Sequence, residues 1–145
     1  MKRVRNSAAT TFLPAVSLSI LSLALYADEK PHSMNEGFNI PAEEFSRFEH
    51  DALLGSGDDA YKLSQYHYFV SLNEQDGFRW LQVAAEDGNA TAAYSLGARL
   101  RDGDGPQDKL RACFWLKQAQ AHGAGDVVAR AKRQLTALGN ACAGK

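Results

Sequence analysis

Trp80 and Trp115 stand 35 residues apart, and the same offset carries Leu81 to Leu116, Ala84 to Ala119 and Gly88 to Gly123. Upstream, Ala60, Leu63 and Ser64 map onto Ala93, Leu96 and Gly97 at an offset of 33. A register held over so many positions marks a repeated unit, and a unit of this size buries its apolar face only by stacking on neighbours. The difference between the two offsets predicts two extra residues in the second unit, placed in its Gly103-Asp104-Gly105 turn.

Each unit reads as a helical hairpin. Ala93, Leu96, Gly97 and Leu100 recur at helical spacing, a Gly-rich turn follows, and Ala112, Trp115, Leu116 and Ala119 recur before Gly123 stops the run. Ser64 and Gly97 are small where the second helix must approach closely. Trp80 and Trp115 are expected to fill the space between hairpins, each burying on the order of 200 Å². Gly88 and Gly123 are expected to leave their helices in the left-handed conformation.

These residues resemble the Sel-one-like repeat, a relative of the tetratricopeptide repeat whose pattern runs Ala, Leu-Gly, Tyr, Gly-x-Gly, Asp, Lys-Ala, Trp and Ala-Ala before a closing Gly. The second unit supplies Ala93, Leu96, Gly97, Gly103, Gly105, Asp108, Ala112, Trp115, Ala119 and Gly123, departing at Leu100 and Gln120. The first keeps Trp80, Leu81, Ala84, Ala85 and Gly88, but has Ser64 for Gly, His67 at the Tyr position and Asn73-Glu74-Gln75 for Gly-x-Gly. The resemblance covers about half the chain, from Asp58 to Gly123. It implies an all-α fold, a short α-solenoid of stacked helical hairpins with two such repeats between N- and C-terminal capping helices. It also implies that the first helix of each hairpin lines a concave groove, through Tyr61, Gln65, Tyr68 and Phe69 in unit one and Tyr94, Ala98, Arg101 and Asp102 in unit two. Some secreted, cysteine-rich members of the family are linked to penicillin binding. This chain has neither a Ser-x-x-Lys motif nor their repeated cysteine pairs, so that activity is not carried over.

Around this centre the chain divides into a signal peptide (1–27), a flexible leader (28–39), an N-terminal capping helix (40–57), repeat 1 (58–88), repeat 2 (89–123) and a C-terminal capping helix and tail (124–145). Lys2, Arg3 and Arg5 precede an apolar run from Phe12 to Ala27, with cleavage expected after Ala24 or Ala27; the alternative is an uncleaved membrane anchor. Asp28 to Asn39 mixes charge, Pro and Gly without period. Pro41 suits a first helical position, and Phe45, Phe48, Ala52 and Leu53 form a stripe ending at Gly55-Ser56-Gly57. After Gly123, Val128, Ala131 and Leu135 fall 35 residues after Ala93, Leu96 and Leu100, giving the last helix the role of a third first helix.

Export and cleavage would remove three of the 16 basic residues and none of the 17 acidic ones, leaving a net charge of −4. A mature domain with no Lys/Arg block lacks the electrostatic footprint of a nucleic-acid binder. The same compartment is oxidising. Cys113 opens the second helix of repeat 2, and a capping helix running back antiparallel returns near Cys142, so the two are expected to pair; the alternative is a buried Cys113 and a free Cys142.

Chemical motifs are few. Asp102-Gly-Asp104-Gly-Pro-Gln-Asp108 starts like a calcium loop, but Pro106 and Gln107 stand where that loop needs other residues and no Glu completes it. The four histidines show no metal-ligand spacing and no cofactor is expected. Tyr61, Gln65 and Tyr68 follow i, i+4, i+7, about 100° around the helix from the Ala60, Leu63, Ser64 face. The sequence therefore predicts a periplasmic or secreted interaction module that is not an enzyme, an adaptor or an inhibitor of the immunity type. It would bind a protein or peptide through Tyr61, Gln65, Tyr68, Phe69, Tyr94 and Arg101, with no nucleic acid and no membrane partner after cleavage. The alternative to be weighed is that the N-terminal helix fills the groove. The alternative function is a small cell-envelope hydrolase, with a site near His50 and Asp51.

Overall fold

A computed structural model describes residues 35–143. The chain divides into two units, Met1–Ser33 and Met34–Lys145, and all described residues belong to the second. The expected signal peptide and the leader up to residue 34 lie outside them. Among the described residues the structure is all helical: α1 (Ala42–Leu53), α2 (Gly57–Phe69), α3 (Glu74–Glu86), α4 (Ala90–Arg101), α5 (Pro106–His122) and α6 (Gly125–Leu138), with short 3₁₀ turns at Glu36–Phe38 and Gly139–Cys142. None of these helices is long and apolar enough to cross a membrane.

Each consecutive pair of helices packs together, and α6 also rests on α4, in a solenoid-like array. The repeat register is a burial register. Ala60 and Ala93, Leu63 and Leu96, Trp80 and Trp115, Leu81 and Leu116, and Ala84 and Ala119 are all buried, as is Ala131 of α6 at the position of Leu96. Polar side chains start the helices. Ser56, Asn73 and Asn89 accept the backbone N–H of Asp59, Asp76 and Ala92, satisfying donors that a helix start leaves free. Asn89 also donates to Asp58 at 2.7 Å, fastening the start of α4 to the start of α2.

Four sequence expectations are corrected in detail. The turns between α2 and α3 (residues 70–73) and between α4 and α5 (residues 102–105) are equally long; the extra residues of unit two lengthen the start of α5 instead. Gly88 does take a left-handed φ of +87°, but Gly123 leaves α5 extended (φ −81°, ψ 177°). Glycine is needed there because a Cβ would lie 2.5 Å from the Ala119 carbonyl oxygen. Leu53 is 74% exposed, since Phe45, Phe48 and Ala52 already occupy one face of α1 and Leu53 falls one helical step off it. Pro41 stands just before α1 rather than within it, beside the buried Ile40.

Cys113 and Cys142 form a disulfide with Cα atoms 5.4 Å apart. Gly139, at φ +50°, ends α6 and lets the last 3₁₀ turn reach α5, where Lys117 donates to the Cys142 carbonyl. The bond is compatible with an oxidising, exported location.

Candidate functional site

The six residues expected on the groove divide into three sets by what they touch. Tyr68 belongs to the packing between α2 and α3, against expectation. Its ring lies over Gly77, where a Cβ would come within 2.9 Å of the ring carbons, and its hydroxyl is buried without a hydrogen-bond partner. Burial raises the Tyr68 pKa, a shift opposed by the nearby Arg99 guanidinium. Tyr61, half-buried, likewise packs on the margin of the core. One turn separates Tyr68 from Ser64, and the two share the side of α2 that meets α3, so an offset from Leu63 was not an offset from the whole core.

Gln65 and Phe69 face a different neighbour. The 3₁₀ turn at Glu36–Phe38 packs on α2, with the Phe38 and Phe69 ring centroids 4.6 Å apart. Residues 37–41, together with Glu44 and Phe48 of α1 and Lys62 and Gln65 of α2, line a recess of about 410 Å³. Lys62 Nζ is 4.8 Å from the centre of the Phe48 ring and 3.5 Å from an Asp59 carboxylate oxygen, so its charge stands at the rim with one partner. Phe69 stays 44% exposed. α1 packs on α2 through Phe45, against Tyr66 and His67, and its Glu44 and Phe48 border the recess beside Gln65, while Phe38 of the preceding turn stacks on Phe69.

Tyr94 and Arg101 are taken up by α6. The Arg130 guanidinium lies 4.9 Å from the centre of the Tyr94 ring. Arg101 grips Asp102 with two hydrogen bonds, at 2.8 and 3.0 Å, and donates to Gln134 of α6. The hydrogen bond from Arg101 holds the Asp102 carboxyl below its ordinary pKa and raises that of Arg101. Because α6 is the third first helix, it lies against the side of α4 that the sequence leaves open.

Phe38, Ile40 and Lys62 were missed by sequence reasoning. Phe38 and Ile40 sit in a stretch with no helical or strand period, and the one available signal was a pair of large apolar residues among polar ones. A second recess, of about 480 Å³, lies between the end of α3, the start of α4 and α5, bordered by Glu86, Ala93, Phe114, Trp115 and His122. Among the described residues no three His, Cys, Asp or Glu side chains are grouped to hold a metal ion. His50 and Asp51 are 3.3 Å apart, but the His50 side chain is 71% exposed and Arg47 also reaches the Asp51 carboxylate.

The chain is similar to the uncharacterized protein YibG of Escherichia coli (strain K12), 25% identical over 101 residues that cover 67% of this chain and 65% of that protein. The match thus spans slightly less than two thirds of the relative's length. No family model matches the chain. No solved structure matches it either.

Proposed function

We propose that this chain is an exported interaction module that binds a protein or peptide through the first-helix face of its hairpins and does no chemistry of its own, its two hairpins being degenerate repeats of the Sel-one-like type. The observation that carries this reading is the recess beside α2. There a main chain without regular secondary structure, residues 39–41, borders the recess opposite a first helix whose Lys62 and Gln65 line it, while Phe69 of the same helix stays partly exposed. A face that seats one such segment has the shape and the mixed apolar and polar lining that peptide recognition uses. The disulfide supports the exported location, here taken as periplasmic after loss of residues 1–24 or 1–27. Intact mass of the protein recovered from the periplasmic fraction measures the cut directly, and a full-length cytoplasmic product would overturn the location.

The binding face is tested by placing a photoreactive residue at Gln65 and, as control, at the exposed Gln82 of α3. Crosslinks to a defined protein are expected from position 65 and not from position 82. Equal yields from the two positions, or none from position 65, would defeat the assignment of the face.

A further inference from the structure

Charge is sorted along the array. From Asn35 to Gly88 eleven acidic side chains stand against three basic ones, whereas from Asn89 to Ala143 eight basic side chains stand against four acidic ones. The first and last helices carry this contrast to the two flanks. α1 packs chiefly on α2 and holds four acidic residues to one arginine, while α6 packs on α5 and α4 and holds three basic residues to one aspartate. Arg47, Arg99, Arg101 and Arg130 are each ion-paired within the chain. Among the described residues, the side chains of Glu43 and Glu49 on α1 and of Lys132 and Arg133 on α6 have no hydrogen bond or ion pair.

Each flank presents an exposed stripe. On α1, Glu43, Ser46, His50 and Leu53 recur at i, i+3, i+7 and i+10 on the side away from the buried Phe48, and Leu53 and the following Leu54 are each 74% exposed. On α6, Ala129, Lys132, Arg133 and Thr136 border an open recess of about 440 Å³. The repeat register limits what can cover it. Lys132 falls 35 residues after Gly97, the position at which unit two admits Leu116 against bare backbone. With an exposed lysine in that place, a helix lying on this side of α6 has to bring carboxylates rather than a close-packed leucine.

We propose that α1 of one copy docks on α6 of a second, so that the chain assembles head to tail through its two end helices. Charge complementarity selects the occupant: α1 supplies free carboxylates beside exposed leucines, and α6 supplies free cations around a recess that Ala129 and Thr136 also line. Pairing α1 with α1, or α6 with α6, would set like charges against each other and disfavours the symmetric dimer. A heterologous contact leaves one face of each kind open at the ends of every complex, so copies add until a ring closes or a filament grows. The contact uses neither Gln65 nor Phe69 and is independent of the binding face proposed above.

The test follows the mature chain by sedimentation at about 20 mM and about 300 mM salt, between which screening removes most of the attraction between exposed charges. Association is expected at the lower salt and should weaken about tenfold or more at the higher. Glu43→Lys/Glu49→Lys and Lys132→Glu/Arg133→Glu should each be monomeric alone, since each leaves both flanks with one sign of charge. Mixed in equal amounts the two variants should associate again at low salt, because each flank then meets its opposite on the other chain. A wild type that stays monomeric at about 0.5 mM protein and low salt overturns the proposal and leaves the flanks as polar caps of the array. Association that persists in both variants, or a mixture that stays monomeric, overturns it equally. Should a reversed variant lose helicity, Lys132→Gln/Arg133→Gln takes its place and is expected to weaken association about tenfold; unchanged association again overturns the proposal.

Discussion

The two hairpins bury matching residues yet set the distance between their helices with different chemistry. In α4 and α5 the missing side chain is on the first helix: a Cβ on Gly97 would lie 2.8 Å from Leu116 Cγ, so Leu116 packs directly on backbone. In α2 and α3 Ser64 stands in that place and donates its hydroxyl to the Gly77 carbonyl at 2.8 Å. There the missing side chain has moved to Gly77 on the second helix, under the Tyr68 ring. The turns differ in the same spirit. Gly103 and Gly105 lie close to the Asp108 carboxylate, which accepts the Gly105 N–H at 3.2 Å, whereas the turn of unit one has no glycine and Leu72 takes a φ of +53°. What repeats is the spacing of the helices; the residue that secures it is free to change.

The largest effect should come from the one covalent tie, which unit two has and unit one lacks. Cys113→Ser with Cys142→Ser is expected to lower stability by about 3 to 4 kcal/mol in the chain-entropy account of a loop this long. Urea unfolding with and without reductant measures it, and reduction of the wild type should reproduce the loss. Amide exchange should then rise first in α6, whose only buried residue is Ala131, and last in α2 and α3. Uniform loss of protection across both hairpins would mean that they form one cooperative unit and would blunt the comparison.

Next in size are the two spacers. Gly97→Ala forces a methyl group against Leu116 and is expected to cost about 1 to 3 kcal/mol by overpacking. Ser64→Ala removes a buried hydrogen bond but no volume and is expected to cost about 0.5 to 1.5 kcal/mol. Midpoints of chemical unfolding rank the pair, and equal costs would show that the serine is as tightly constrained as the glycine.

This contrast also explains how far the sequence could be read. The offsets of 35 and 33 located the hairpins because Trp80, Trp115 and their neighbours are buried in register, and the cysteine pairing followed from the direction of α6. The binding face was harder. Tyr68 and Arg101 occupy matching positions, but one is pressed on Gly77 and the other turns to Asp102 and Gln134, because unit two has Ala112 where unit one has Gly77. A side chain's neighbour across a helix pair is not a local property of its own helix. Phe38 and Ile40 escaped for a related reason: a segment without period is positioned only by what it lies on.

A smaller effect sits in the turn of unit one. Leu72 is 77% exposed, so its left-handed backbone is offset by little burial. Leu72→Asn, a residue that tolerates this conformation, is expected to stabilise the protein by about 0.5 to 1 kcal/mol. Thermal melting detects such a gain, and a loss instead would indicate that Leu72 makes a contact outside this chain's own hairpin.

The smallest effect at neutral pH concerns the Tyr68 hydroxyl, buried without a partner over Gly77. Tyr68→Phe removes a polar atom that folding desolvates and leaves the ring in place, so stability at neutral pH should be unchanged or higher by up to about 1 kcal/mol. The same burial raises the phenol pKa in the folded state. A raised folded pKa means that the unfolded chain releases this proton first. The phenol therefore leaves stability untouched below its ordinary value of about 10 and erodes it as the pH rises beyond that. Tyr68→Phe should accordingly unfold at a higher alkaline pH than the wild type, while Phe78→Leu, on the facing helix α3, should lower stability without moving that alkaline limb. Coincident alkaline transitions for wild type and Tyr68→Phe would show that the hydroxyl reaches water, and would return Tyr68 to the open face of α2 beside Gln65.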